Sequence, residues 1–195
     1  GSLCVDKYEA SVWDAATGGA QLSPAGPGGG APNIVCSTDG SDCGANADNP
    51  IYARSEAGFL PAGHISWYQA AQACANVGKR LPTTAEWQMA ALGTPPGDGG
   101  GCNINAGGTT PSLSGANDAT CASPAGAFDM IGNVWEMTAE LESATATVGT
   151  FPSTDTLIVR SLGDDFSSSS NATTTATFTV APTGTNGKVG FRCVR

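Results

Sequence analysis

Gly78-Lys79-Arg80-Leu81-Pro82-Thr83-Thr84-Ala85-Glu86-Trp87 is the stretch on which the reading of the fold turns. Thr83, with Glu86 three residues on, makes a capping box, so a helix begins here. Trp87, Ala90 and Ala91 then fall on one helical face, and Gly93 and Pro95 stop the helix. The same punctuation occurs upstream. Ser66 and Gln69 form a second capping box, Trp67, Ala70, Ala71, Cys74 and Ala75 recur at helical spacing, and Gly78 stands as a natural C-cap. The spacing predicts two short helices joined by a Lys-Arg-Leu-Pro link.

Outward from this pair the chain changes character. Residues 3–14 read as a strand, from their aromatic and β-branched content. Residues 15–50 are rich in Gly, Pro, Ala and Asn and read as loop, as do residues 95–126. Residues 126–137 mix core side chains with oxygen-bearing ones. Residues 156–162 and 188–195 read as strands, and residues 163–187 between them are low-complexity Ser, Thr, Ala and Asn. No internal repeat is present. Trp67, Trp87 and Trp135 are expected in the core because each buries a large area, and Phe166 and Phe178 are placed there too.

Composition narrows the function classes. At 195 residues and 40% hydrophobic content, the chain buries a real core, as one domain over residues 1–195. Gly1-Ser2 reads as a cloning scar, with a leader or further domain expected ahead of Leu3 in the natural protein. Charged residues are only 13% and net charge is −9, which argues against nucleic acid as a partner, since phosphate binding needs clustered Lys and Arg. No stretch reaches membrane-spanning length. The seven cysteines suit an exported protein. Cys36 and Cys43 bracket one short loop, and Cys102 and Cys121 bracket another, so both pairs read as staples, against the alternative of scattered buried thiols. A zinc site is disfavoured because there is no Cys-x-x-Cys pair and His64 is the single histidine.

Four stretches together resemble the formylglycine-generating-enzyme (FGE-sulfatase) family. They are Asp6-Lys7-Tyr8-Glu9, the run from Ser66-Trp67 through Gly78-Lys79-Arg80-Leu81-Pro82-Thr83 to Glu86-Trp87, then Gly132-Asn133-Val134-Trp135-Glu136, and Gly190-Phe191-Arg192-Cys193. The resemblance implies an α+β chain with a C-type lectin-like fold: two short helices, short antiparallel strands and extensive ordered loops. It also implies a disulfide between Cys74 and Cys193, which leaves Cys4 over.

The catalytic cysteine pair that the resemblance would require belongs between Val159-Arg160-Ser161 and the final Gly-Phe-Arg-Cys. Residues 161–190 contain no cysteine, and thiolate chemistry needs thiols. A second branch of the family uses a histidine cluster for iron, which one histidine cannot build. A Ser-His-Asp reading of His64 lacks any Gly-x-Ser-x-Gly elbow. The expectation is therefore a non-enzyme. A third group with this fold, the variable proteins of diversity-generating retroelements, carries its binding surface just before the terminal Gly-Phe-Arg-Cys. The matching positions are Asp164, Asp165, Ser167, Ser168, Ser169, Ser170, Asn171, Thr173, Thr174, Thr175 and Thr177, and residues 164–187 as a segment are expected to form the ligand-binding face and to take little part in folding. A plain polar surface loop is the bland alternative. The expected partner is a protein or glycan at an extracellular, cell-surface or phage-particle location. The other two readings are a divergent formylglycine-generating-type oxidoreductase and a structural domain of a surface lipoprotein.

The resemblance also implies structural calcium. Its ligands would be the Asp129 side chain, the Gly132 and Val134 carbonyls and the Glu136 side chain, since calcium takes six to eight hard oxygens. The competing reading has Asp129 capping a turn and Glu136 pairing with a base. A second, weaker calcium set is Asn103, the Ile104 carbonyl, Asp118 and the Thr120 carbonyl.

Overall fold

The computed structural model describes residues 3–22, 24, 33–96, 101–109, 120–143, 157–168 and 172–195. Of the positions singled out above, Gly1, Ser2, Asp118, Ser169, Ser170 and Asn171 lie outside these residues.

Both capping boxes form. The first helix, α1, is Trp67–Ala75, with Ser66 and Gln69 each bonding the other's backbone N–H. The second, α2, is Thr84–Ala91, capped in the same way by Thr83 and Glu86. Two orphan N–H groups are satisfied at each start. The first helix ends at Asn76 rather than Gly78, and Gly78, at φ 71°, carries the turn that follows. α1 buries Gln69, Ala70, Ala73 and Cys74, and α2 buries Trp87, Ala90 and Ala91.

Among the described residues, seven strands form two sheets. β1 (Ser11–Trp13) lies between β2 (Gln21–Leu22) and β3 (Tyr52–Arg54), pairing antiparallel with both. The second sheet has the order β6-β5-β4-β7, from β4 (Trp135–Ser143), β5 (Leu157–Leu162), β6 (Thr177–Val180) and β7 (Val189–Phe191). β4 runs antiparallel to β5 and parallel to β7, and β5 runs antiparallel to β6. The strand expected over 3–14 is confined to 11–13, with only a bridge between Val5 and Val194 before it. That bridge, with the Cys4 N–H donating to the Arg195 carbonyl at 3.0 Å, brings the two ends of the chain side by side.

The main core gathers α1 against β1, β3 and the centre of the larger sheet, through Val12, Ile51, Ala53, Ile65, Met137, Val159, Val189 and Phe191. Trp87, Met130 and Leu162 form a second cluster under α2. Three disulfides tie the loops to this frame: Cys36–Cys43, Cys74–Cys193 and Cys102–Cys121, with Cys4 free and exposed. Gly190 shows why β7 needs glycine: a Cβ there would sit 2.5 Å from the Ala62 carbonyl oxygen and 2.9 Å from Val134 Cγ2. No described helix is long and apolar enough to cross a membrane.

Candidate ligand-binding site

Beyond β5 the chain makes a tight turn whose polar atoms are largely spoken for. Asp165 Oδ1 accepts from the Ser167 N–H at 2.7 Å and the Ser167 hydroxyl at 2.6 Å, a local Asx-type turn. Its Oδ2 accepts from the Trp135 indole N–H at 2.8 Å. Phe166, buried, donates its N–H to the Asn133 carbonyl at 3.1 Å and accepts from the Ala106 N–H. The Ser168 carbonyl accepts from Asn105 at 2.8 Å. Residues 163–168 are thus pinned to the 103–106 loop and to the start of β4.

A cavity of about 510 Å³ opens beside this turn, lined by Trp135, Asp164, Asp165, Ser167, Ser168, Phe178, Asn186 and Lys188. Phe178, on β6, stacks on Trp135 with ring centroids 5.7 Å apart and is 37% exposed. Lys188 donates to the Ser167 hydroxyl at 2.6 Å, lies 3.7 Å from Asp165 Oδ1 and sits over the Phe166 ring. Asp164, in the left-handed region at φ 72°, accepts from the Asp165 N–H and the Ser168 hydroxyl, both on Oδ1. Partial burial pushes its carboxyl above the usual aspartate value; the Asp165 N–H opposes that rise and the Asp165 charge adds to it. A larger hollow of about 610 Å³ lies between Leu3, Val5, Met89 and Ala125–Ala127, with Lys7 its single charged wall, and offers little for directional recognition.

Four of the expected binding residues, Asp164, Asp165, Ser167 and Ser168, meet in the smaller cavity. Thr173 and Thr175 are exposed on the turn before β6, with hydroxyls 3.0 Å apart, and Thr174 is half-buried there. Thr177 is exposed and opens β6 opposite Leu162. None of these threonines lines the cavity. The expectation that the segment takes little part in folding is corrected: Asp165, Phe166, Ala172 and Ala181 are buried, and β6 is a strand of the main sheet. Phe178 and Trp135 are also not simple core residues. Trp135 is half-buried, and the two rings form the aromatic wall of the cavity. Asn186 and Lys188 had no signal of their own in the sequence. They reach the cavity because β7 pairs with β4 in a register that sets Val189 opposite Trp135, and the Trp135 N–H donates to the Lys188 carbonyl.

The Asp129–Glu136 segment holds a different kind of site. Arg192 is fully buried and forks both oxygens of Glu136, with Nε to Oε2 at 2.6 Å, and the Trp87 indole N–H also donates to Oε2 at 2.6 Å. Glu136 therefore pairs with a base, and the four-residue calcium set does not fit: an ion at this carboxylate would have to displace a guanidinium in the core. Asp129 is buried beside the pair, and Glu9 bonds the Asn133 side chain and the Val134 N–H. Burial holds the Glu9 carboxyl well above its ordinary range, and the charges of Asp129 and Glu136 add to the rise. In the weaker calcium set, Asn103 is buried, its amide donates to the Gly108 carbonyl and to Asn133, and its Oδ1 accepts no hydrogen bond from the described residues. Asp118, of the same set, falls outside the described residues. Gly132 brings the two loops together: a Cβ there would lie 2.4 Å from the Asn103 carbonyl oxygen.

The sulfatase-modifying factor enzyme 1-like domain (FGE-sulfatase) matches residues 35–195. The chain belongs to the FGE-sulfatase family. Over 81 residues this FGE-sulfatase domain is 40% identical to Serine/threonine-protein kinase pkn1 of Chlamydia caviae, covering 37% of the chain and only 12% of that protein. Among solved structures, Major Tropism Determinant U1 Variant superposes with a TM-score of 0.54 at 21% identity, over 95% of this chain and 49% of that one. The M1 Variant gives 0.52 at 19%, over 95% and 50%, and CarF gives 0.54 at 18%, over 69% and 67%. At such identities the likeness speaks for the fold, the α+β C-type lectin-like arrangement that the motifs imply.

Proposed function

We propose that this FGE-sulfatase domain is a non-catalytic ligand-binding module whose site is the cavity between Trp135, Asp164, Ser168, Phe178 and Lys188. The observation that carries the reading is the meeting of four residues of the polar segment with an aromatic pair in one cavity on a pinned frame. Binding sites concentrate on loops held by rigid scaffolds and combine an apolar wall with a few placed polar groups. Major Tropism Determinant is by its name a determinant of tropism, and we carry such a ligand-binding role, with deliberate variation in residues 163–178, to this chain. Six of the seven cysteines are tied in disulfides, which suits an extracellular, cell-surface or phage-particle setting.

The test is a ligand-observed NMR screen of a mixed fragment and peptide library against the native chain and a Ser168→Phe variant. Ligands seen with the native chain and lost in the filled variant, with an unchanged melting temperature, support the site. Ligands that survive the substitution overturn it. The family name keeps oxidoreductase chemistry as a second reading. Incubation with copper and a cysteine-containing sulfatase peptide should give no aldehyde by mass; aldehyde formation would overturn the non-catalytic reading.

A further inference from the structure

The wall of the cavity narrows its ligand class. Asp165 is 6% exposed, with both oxygens committed to the frame. Asp164 differs: its hydrogen bonds fall on Oδ1, so Oδ2 is the acceptor it offers. Asn186 uses its Oδ1 to accept from the Lys188 N–H at 2.9 Å, so its amide N–H groups are the donors it offers. Lys188 has one donor on Ser167 and is 45% exposed at the side chain. The lining therefore combines a carboxylate oxygen, hydroxyls, an amide and an ammonium with an aromatic pair.

A ligand with full charge fits this lining poorly. An anion meets Asp164 and Asp165, in a chain of net charge −9, and a cation meets Lys188. A ring of hydroxyls has neither conflict. Each hydroxyl donates and accepts, so it bridges an acceptor such as Asp164 and a donor such as Asn186 or Lys188. The apolar C–H face of a pyranose ring matches the exposed Phe178 ring. The cavity is open and falls in the size range of small-ligand sites. We propose that it takes the terminal residues of a neutral glycan, an inference that rests on the binding-site reading above.

The experiment probes the native chain, Phe178→Ala and Asp164→Asn on an array of neutral, sialylated and sulphated oligosaccharides, with a random peptide library in parallel. The expected result is retention of at least one neutral oligosaccharide, weakened roughly tenfold in each variant as for loss of one good contact. Because Phe178→Ala removes a ring from β6, melting temperature is recorded for both variants; Asp164→Asn, close in shape, carries the result if the first fails to fold. Binding confined to sialylated or sulphated glycans overturns the proposal, as does neutral-glycan binding that survives Asp164→Asn. Peptides bound in a Phe178-dependent way, with no neutral glycan, overturn the glycan class while the binding site stands. No ligand of any class that depends on these residues overturns both.

Discussion

At the scale of single residues, the most constrained group is the buried carboxylate cluster around Arg192. Glu9, Asp129 and Glu136 share one guanidinium, and all four residues are at most 4% exposed. Removing one partner of such a pair strands a charge in the core. Arg192→Met should cost about 3–5 kcal/mol in urea unfolding, since it also orphans the carbonyls of Asp6 and Phe128 that Arg192 serves. A loss below about 1 kcal/mol would mean that the pair is dispensable. The surplus of negative charge is relieved at Glu9, whose carboxyl is raised above its ordinary 4.5 by burial and by its acidic neighbours. The folded state then holds a proton that the unfolded state has already lost. The Glu9 contribution is complete below the unfolded value and drains away as pH rises through the folded one. Glu86 works in the opposite direction: Arg80 holds it at about 2, so its contribution, small because the pair is exposed, fades in acid. The difference in urea midpoint between the native chain and Glu9→Gln isolates the first effect. The variant should gain on the native chain steadily as pH rises above 4.5; a constant difference would place the proton elsewhere.

At the scale of elements, stability rests on how loops are tied to helices and strands. In the chain-entropy picture the stabilisation grows with the loop closed. Cys74–Cys193 spans 119 residues and joins α1 to the end of β7, Cys102–Cys121 spans 19 and Cys36–Cys43 spans 7. Paired Cys→Ala replacements should therefore cost about 5, 3 and 2 kcal/mol in that order. Non-reducing peptide maps with urea melts check both pairing and rank, and Cys74 linked to any cysteine but Cys193 would break the fold assignment. The Cys102–Cys121 loop also holds Asn103, whose buried Oδ1 has no donor among the described residues. Calcium is thus better sought in this loop than at Glu136. Chelation should lower the melting temperature of the native chain, because an ion that binds only the folded state stabilises it, and should leave Asn103→Ala unmoved. An unchanged native melt with no calcium in elemental analysis sinks the idea.

At the scale of the whole molecule, what was legible in the sequence is what local chemistry dictates. Two Ser/Thr–Gln/Glu capping boxes place both helices, and short bracketed loops place two disulfides. The strands at 157–162 and 189–191 also stand out, being β-branched and flanked by polar or glycine residues. What was not legible depends on partners distant in sequence. β4 runs on to Ser143, beyond the segment 126–137 that the sequence singles out, because Leu141, Glu142 and Ser143 pair with β5 after an irregularity at 138–140 and Arg160 forks Glu142 at 2.7 and 2.8 Å. β6 was hidden in a threonine-rich stretch whose Thr-Phe-Thr-Val alternation was masked by its surroundings. The cavity is harder still to read, because Trp135 lies on β4, Phe178 on β6 and Lys188 just ahead of β7, and only the sheet order assembles them. The same lesson divides the segment 164–187 into frame and surface, and that division is measurable. Asp165 satisfies the Ser167 N–H and hydroxyl and the Trp135 indole from a buried position, so Asp165→Ala leaves three part-buried donors without their acceptor and should cost at least about 1 kcal/mol. Thr173 and Thr175 are exposed, bond each other and touch no wall of the cavity, so Thr173→Ala and Thr175→Ala should each stay within about 0.5 kcal/mol. Urea unfolding of the three variants separates the cases. If Asp165→Ala unfolds no earlier than the threonine variants, the turn does not depend on that carboxylate, and the rigid floor on which the binding reading stands is absent.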